Sequence, residues 1–94
     1  MATIEEIVKA SNKKDGGSDE ANKYTLKSMK QHSEEIAELF EKKDEHWKSE
    51  CADMMIHCLV LFKREGIDEV EVLNMLEKRK ERFLEKIEGS PEII

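Results

Sequence analysis

Apolar residues recur along most of this chain at the three- and four-residue spacing that is typical of amphipathic helices. Ile36, Leu39 and Phe40, for example, follow this spacing and define one buried stripe. Helix start and stop signals divide the pattern into four segments, at about residues 4–10, 20–42, 46–65 and 69–88. The sequence therefore predicts an all-α fold, an antiparallel helical bundle of three long helices plus a short N-terminal helix.

A single domain is expected for a chain of 94 residues. Residues 11–18 are polar and contain two adjacent glycines, so we expect a flexible loop after the first helix. Gly89 and Pro91 are expected to end the fourth helix. The predicted parts of this all-α domain, over residues 1–94, are a short helix and flexible loop (1–19), a helical core (20–88) and a tail (89–94).

The second half of the third helix, residues 54–62, is apolar on nearly all sides. A helix without a polar face needs neighbours on every side, and a chain this short has few to offer. We therefore expect a second subunit to supply some of them, so that the bundle is completed by dimerisation. The fourth helix has its own expected buried positions, among them Val70, Leu73, Leu76, Phe83, Leu84 and Ile87.

The charge and the cysteines narrow the class of protein. The net charge is −6, and no long run of Lys or Arg is present, which argues against binding to duplex nucleic acid. The apolar run of residues 54–62 is interrupted by His57 and is too short to span a membrane. Cys51 and Cys58 would lie about 10 Å apart on one helix, too far for a disulfide. With no signal-peptide pattern at Met1, we expect reduced cysteines and a cytoplasmic location.

Two pairs of carboxylates occur at helical spacing. Glu35 and Glu38 belong to the second predicted helix, and Glu50 and Asp53 to the third. Residues three apart share one helix face, so two such pairs on antiparallel neighbours can face one another. Asp53 also stands next to the most apolar segment, which suggests that its turn is entering the core, where an aspartate needs a partner.

Four converging carboxylates repel one another unless a cation lies among them. Hard oxygen ligands suit Mg²⁺ or Mn²⁺, and such a site can bind a polyphosphate and activate a water molecule. A carboxylate left outside the coordination sphere can orient or deprotonate that water. Spacing alone leaves a metal site and ordinary surface salt bridges both open.

The histidines have simpler expected roles. His57 follows Asp53 by one helical turn, and we interpret it as a core histidine bonded to Asp53 or to a backbone carbonyl. The alternative is a group that fixes the orientation of Asp53 as a metal ligand. His32 and His46 are expected at the surface or in a turn.

At the carboxylate pairs the sequence resembles the all-α nucleotide pyrophosphohydrolases, the MazG-like and phosphoribosyl-ATP pyrophosphohydrolase group. Their signature is EExxE followed by ExxD, which is matched here by Glu34, Glu35 and Glu38, then by Glu50 and Asp53. The stretch ECADMMIHCLVLFKREGIDEVEVLNMLEKR is especially similar to the phosphoribosyl-ATP enzymes. The resemblance extends over about residues 27–82 and indicates a divergent member.

The resemblance implies a Mg²⁺-dependent homodimer or dimer-based tetramer that cleaves an α–β phosphoanhydride and releases pyrophosphate. It implies Glu35, Glu38, Glu50 and Asp53 as metal ligands. Glu34 would be an auxiliary acid, acting on water or a second metal, so the implied catalytic carboxylates are Glu34, Glu35 and Glu38.

Five basic residues are candidates for contacts with the substrate phosphates, although ordinary solvated helix charge explains them equally well: Lys27, Lys30, Lys78, Arg79 and Arg82. The nucleotide substrate expected first is a (d)NTP. One alternative is the phosphoribosyl-ATP pyrophosphohydrolase reaction of histidine biosynthesis. A second alternative, of a different class, is a non-enzymatic helical dimer that acts as an interaction module.

Overall fold

The computed structural model describes residues 1–89, which form four α-helices and no strand. The helices are α1 (Ile4–Asp15), α2 (Ser18–Glu41), α3 (Trp47–Arg64) and α4 (Glu69–Gly89). The prediction of an all-α fold is confirmed. The ends of the three long helices lie within two residues of the predicted ones. Pro91 and the rest of the predicted tail after Gly89 lie outside the described residues.

The first helix is longer than predicted. Thr3 begins it as expected, since its hydroxyl oxygen accepts a hydrogen bond of 3.1 Å from the backbone N–H of Glu6. However, the helix continues to Asp15, and only Gly16 and Gly17 separate it from α2, so the predicted loop over residues 11–18 is wrong. Polar residues do not by themselves end a helix. Gly16 ends it, because this residue adopts the left-handed conformation, with φ of 85°.

Helices α1, α2 and α3 pack against one another, and α2 and α3 form a helical hairpin. Phe40 and Trp47 pack edge to face beside the turn, with ring centroids 5.3 Å apart. Further from the turn, His32 of α2 contacts Glu50 of α3. The contact partners thus move backwards along α2 as they move forwards along α3. Residues of α2 and α3 that are far apart in sequence therefore meet at defined levels.

Arg64, the last residue of α3, links the three helices through hydrogen bonds. Its Nε donates to Oδ1 of Asn12 (3.0 Å) and its Nη2 to the hydroxyl of Ser11 (2.7 Å), both on α1. Its Nη1 donates to Oδ1 of Asn22 (3.1 Å) and to the hydroxyl of Thr25 (2.7 Å), both on α2. Burial lowers the pKa of Arg64, yet these four acceptors compensate for much of the water that the guanidinium loses.

The buried core of the described chain is small. Only Ala21, Thr25, Val60 and Val72 are buried among residues 1–89. The radius of gyration is 15.6 Å, whereas a compact chain of this length has a value of about 12 Å. The single chain is therefore more extended than a self-sufficient globular domain.

Helix α4 has at most slight contact with the other three helices. The prediction that α4 buries its apolar positions is wrong for the single chain, because all six of these side chains are exposed: Val70, Leu73, Leu76, Phe83, Leu84 and Ile87. We call this set the α4 stripe. Met55 and Ile56 of α3 are also exposed, although the apolar run predicted neighbours around them. Large exposed apolar surfaces are typical of interaction sites.

None of the helices within residues 1–89 combines the length and the apolar character needed to cross a bilayer.

Candidate metal centre

The hairpin of α2 and α3 brings together His32, Glu35 and Glu50, which we call the α2–α3 cluster. One ligand atom of each side chain lies within 4.8 Å of the ligand atoms of the other two. Nδ1 of His32 contacts Oε2 of Glu50 directly and lies 3.8 Å from Oε2 of Glu35. Two carboxylates and an imidazole nitrogen form a donor set that fits a divalent cation.

The cluster is partly withdrawn from solvent. The side chains of His32 and Glu50 are 20% and 21% exposed, and that of Glu35 is 40% exposed. Partial burial weakens the screening of charge by water, so the two carboxylates interact more strongly here than on an open helix face.

The pKa values of the two carboxyl groups shift in opposite directions. The pKa of Glu35 is raised, first by its hydrogen bond to Glu50 and then by burial. The pKa of Glu50 is lowered, first by the hydrogen bond from His32 and then by the one from Glu35. Two neighbouring carboxylates cannot both be ionised as easily as one, and His32 favours the ionised form of Glu50. A metal cation between the two carboxylates would relieve the same repulsion.

Glu38 and Asp53 are outside the α2–α3 cluster, so the structure brings together one carboxylate from each predicted pair. Glu38 is 62% exposed and accepts a hydrogen bond of 2.7 Å from Nζ of Lys42, which lowers the pKa of Glu38. Asp53 is exposed, and the expectation that its turn enters the core is wrong for the single chain. Each nevertheless lies one helical turn from its partner, Glu35 or Glu50, on the same helix face.

His32 is the residue that sequence reasoning missed. It was expected at the surface or in a turn, but it lies within α2 and faces Glu50. A signal existed, because His32 precedes Glu35 by three residues, the same spacing that links the carboxylate pairs. His46, by contrast, lies at the turn as expected, where its Nδ1 is 2.7 Å from Oδ1 of Asp44.

His57 lies behind the cluster. Its ring centroid is 5.1 Å from that of His32, and burial lowers its pKa, with His32 as the next cause. On its other side His57 borders a cavity of about 150 Å³, which is also lined by Tyr24, Thr25 and Arg64. His57 thus contacts His32 of the cluster and also lines a mostly apolar cavity between α1, α2 and α3.

The remaining predicted site residues are not gathered at the cluster. Glu34 is exposed on α2, as are Lys27 and Lys30. The other three basic candidates are exposed on α4, which leaves the three-helix unit: Lys78, Arg79 and Arg82. Within one chain, therefore, the basic residues of α4 do not lie beside the carboxylates of the cluster.

The fold and the carboxylate cluster define an all-α protein with a candidate divalent-cation site. The sequence model of the phosphoribosyl-ATP pyrophosphohydrolase family matches residues 3–80, which is most of the chain. The chain belongs to this family, and the resemblance found in its sequence is confirmed. No curated protein and no solved structure matches the chain significantly. The family identifies a hydrolase of phosphoanhydrides, with the fold described above.

Proposed function

We propose that this protein is a divalent-metal-dependent pyrophosphohydrolase that acts on phosphoribosyl-ATP. The observation that carries the proposal is the meeting of Glu35 and Glu50 from two helices, in a chain that belongs to the phosphoribosyl-ATP pyrophosphohydrolase family. The family name favours phosphoribosyl-ATP over the (d)NTP substrates that the sequence motifs alone placed first.

Mg²⁺ or Mn²⁺ is the cation that this donor set fits, with Glu35 and Glu50 as ligands and Glu38 and Asp53 one turn away on the same faces. When bound, the cation would neutralise phosphate oxygens, polarise the α-phosphorus and make water a better nucleophile. The partial burial of Glu50 supports this assignment, because a half-buried carboxylate needs a compensating charge.

Carboxylates beside the cluster would accept the proton of the attacking water. As water forms a bond to the α-phosphorus, its proton passes to Glu38 or Glu34, and the bond from that phosphorus to the bridging oxygen breaks. The electron pair of that bond leaves with pyrophosphate, and the nucleoside monophosphate remains. Glu38 is ionised at neutral pH, as a proton acceptor must be, and the hydrogen bond from Lys42 lowers its pKa.

A second copy of the chain would complete the site. The α4 stripe is exposed in the single chain, and burying it against a partner is the simplest way to remove so much apolar surface from water. A partner would also place basic residues of its own α4 near the cluster, which one chain does not do. We therefore propose a homodimer, or a tetramer built from dimers, with Lys27 and Lys30 as additional phosphate contacts.

The test is turnover by the purified full chain with Mg²⁺ or Mn²⁺. Phosphoribosyl-ATP should yield phosphoribosyl-AMP and pyrophosphate in equal amounts, faster than any (d)NTP. Changing Glu50 to Gln should reduce kcat by at least about 100-fold, because the shape is kept while the charge is lost.

Glu5→Gln is a matched control, since Glu5 is an exposed acid on α1 that pairs with neighbouring Lys9. It should keep full activity. Release of pyrophosphate from a (d)NTP but not from phosphoribosyl-ATP would refute the substrate assignment. Full activity of the Glu50→Gln variant would refute the site.

A further inference from the structure

His32 occupies a position that the carboxylate motifs do not describe. Its Nδ1 atom contacts Oε2 of Glu50 and lies 3.8 Å from Oε2 of Glu35, so this one nitrogen faces both carboxylates of the α2–α3 cluster. Four-fifths of the side chain is buried. An imidazole held in this way is not the surface histidine that the sequence alone suggests.

We propose that Nδ1 of His32 is a third ligand of the divalent cation, beside Glu35 and Glu50. This rests on the metal site of the proposed function and adds a nitrogen donor to it. A cation that bridges two carboxylates lies between their oxygens, and the third atom already directed at that position is Nδ1 of His32. Neutral imidazole is among the commonest metal ligands in proteins.

The distances are compatible with one ion. Ligand atoms at about 2.1 Å from a shared ion lie at most about 4.2 Å apart. Nδ1 of His32 and Oε2 of Glu35 already meet that limit at 3.8 Å, and the widest of the three separations, at most 4.8 Å, needs to close by less than about 1 Å. The direct contact between His32 and Glu50 would open slightly to admit the ion. Side-chain rotation on α2 and α3 suffices for such a change, without movement of the helices.

The surroundings of His32 favour a fixed orientation. The ring of His57 packs beside it at 5.1 Å between centroids and tilted by 34°. Glu35 lies one turn along the same helix, so the spacing between these two ligands is set by α2 itself. A ligand held in place by its neighbours loses little conformational entropy when the ion binds.

A nitrogen ligand changes which metal the site prefers. Sites made only of oxygen suit Mg²⁺, whereas imidazole suits the first-row transition ions. We therefore expect Mn²⁺ to bind this chain more tightly than Mg²⁺ by at least about tenfold, and Co²⁺ more tightly than Mn²⁺. The competing role for His32 is a hydrogen-bond donor that orients Glu50 without touching the ion.

Pulsed electron paramagnetic resonance of the Mn²⁺-loaded full chain separates the two roles, because it detects nitrogen bonded directly to Mn²⁺. The chain has three histidines, so a His46→Gln, His57→Gln double variant leaves His32 as the only one. Histidine nitrogen coupling should appear in the wild type, shift on labelling histidine with ¹⁵N, and persist in the double variant.

His32→Gln should abolish that coupling and weaken Mn²⁺ binding by about tenfold, while Mg²⁺ binding changes by less than about threefold. His46→Gln is the matched control, since His46 is 82% exposed at the turn. It should leave both the coupling and the affinity unchanged.

The possible failures are distinguishable. Tight Mn²⁺ binding without nitrogen coupling, or coupling that disappears in the double variant, would overturn the role of His32 and leave the proposed function standing. Absence of Mn²⁺ and Mg²⁺ binding would overturn both. The wild-type and double-variant spectra decide the question even if His32→Gln does not fold.

Discussion

The three-helix unit α1–α3 and the helix α4 have a similar spacing of apolar residues but differ in how far these residues are buried. In the unit, Ala21 and Val60 are buried, and Arg64 ties all three helices together through side-chain hydrogen bonds. In α4, only Val72 is buried, and the α4 stripe lies open to solvent. The comparison teaches that periodicity identifies the face of a helix that will be buried, but not whether the same chain supplies its partner.

The largest expected effect concerns α4. Changing Leu76 to Glu would place a charge in each half of the proposed dimer interface on the α4 stripe, and would remove the two leucines that this dimer would bury. The cost should be at least about 5 kcal/mol, a dimer dissociation constant several thousand times weaker. Sedimentation equilibrium should show a dimer for the wild type and a monomer for the variant. Lys78→Gln, on the opposite face of the same helix, should remain dimeric.

A wild type that stays monomeric at tens of micromolar would contradict the dimer and remove the explanation for the exposed stripe. Helix α4 would then be an appendage of the folded three-helix unit and not part of a dimer interface.

The second effect concerns Arg64. Changing it to Met keeps the length of the side chain but removes four hydrogen bonds between α1, α2 and α3. The free energy of unfolding should fall by about 2–4 kcal/mol, since buried Thr25 also loses its partner. Urea unfolding measures the change. Arg79→Met, on exposed α4, should cost less than about 0.5 kcal/mol. Equal losses for both variants would show that Arg64 does not hold the unit together.

The third effect is stabilisation by metal. A cation that binds only the folded protein stabilises it by about 2.7 kcal/mol at 100 times its dissociation constant. Millimolar Mn²⁺ should therefore raise the melting temperature of the wild type by several degrees. EDTA should reverse the shift, and Glu50→Gln should show little of it. An unchanged melting temperature would favour the non-enzymatic interaction module.

The smallest effect is a pH dependence from His57. Burial holds the pKa of His57 below its unfolded value of about 6.5, so the folded protein favours the neutral ring. Stability from this group is complete above that value and is lost as pH falls below it. In EDTA, the free energy of unfolding should fall less between about pH 7 and 5 for His57→Gln than for the wild type. Equal slopes would show that His57 is not desolvated.

Much of the fold could be predicted because its signals are local. The start of α4 follows from Asp68, whose carboxylate accepts a 3.0 Å hydrogen bond from the backbone N–H of Glu71. The end of α1 was misplaced because its polar residues looked like a loop, although Gly16 was the residue that ends it. Local chemistry, read one residue at a time, decides helix ends better than the average polarity of a segment.

The site depends on contacts that the sequence does not display. His32 was overlooked because its partner Glu50 is on another helix, eighteen positions away. Glu35 and Glu50 were singled out from helical spacing, and the hairpin brings them together. The exposure of Asp53 and of the α4 stripe could not be foreseen, because helical spacing does not show whether another part of the same chain covers those positions.

The central claim is that the α2–α3 cluster hydrolyses a phosphoanhydride at the α-phosphorus. The most direct test is one ³¹P NMR measurement of phosphoribosyl-ATP turnover with Mn²⁺ in ¹⁸O-labelled water, after removal of the metal by EDTA. The account predicts ¹⁸O in phosphoribosyl-AMP and unlabelled pyrophosphate. Label in pyrophosphate, release of orthophosphate instead, or no reaction at all would contradict it.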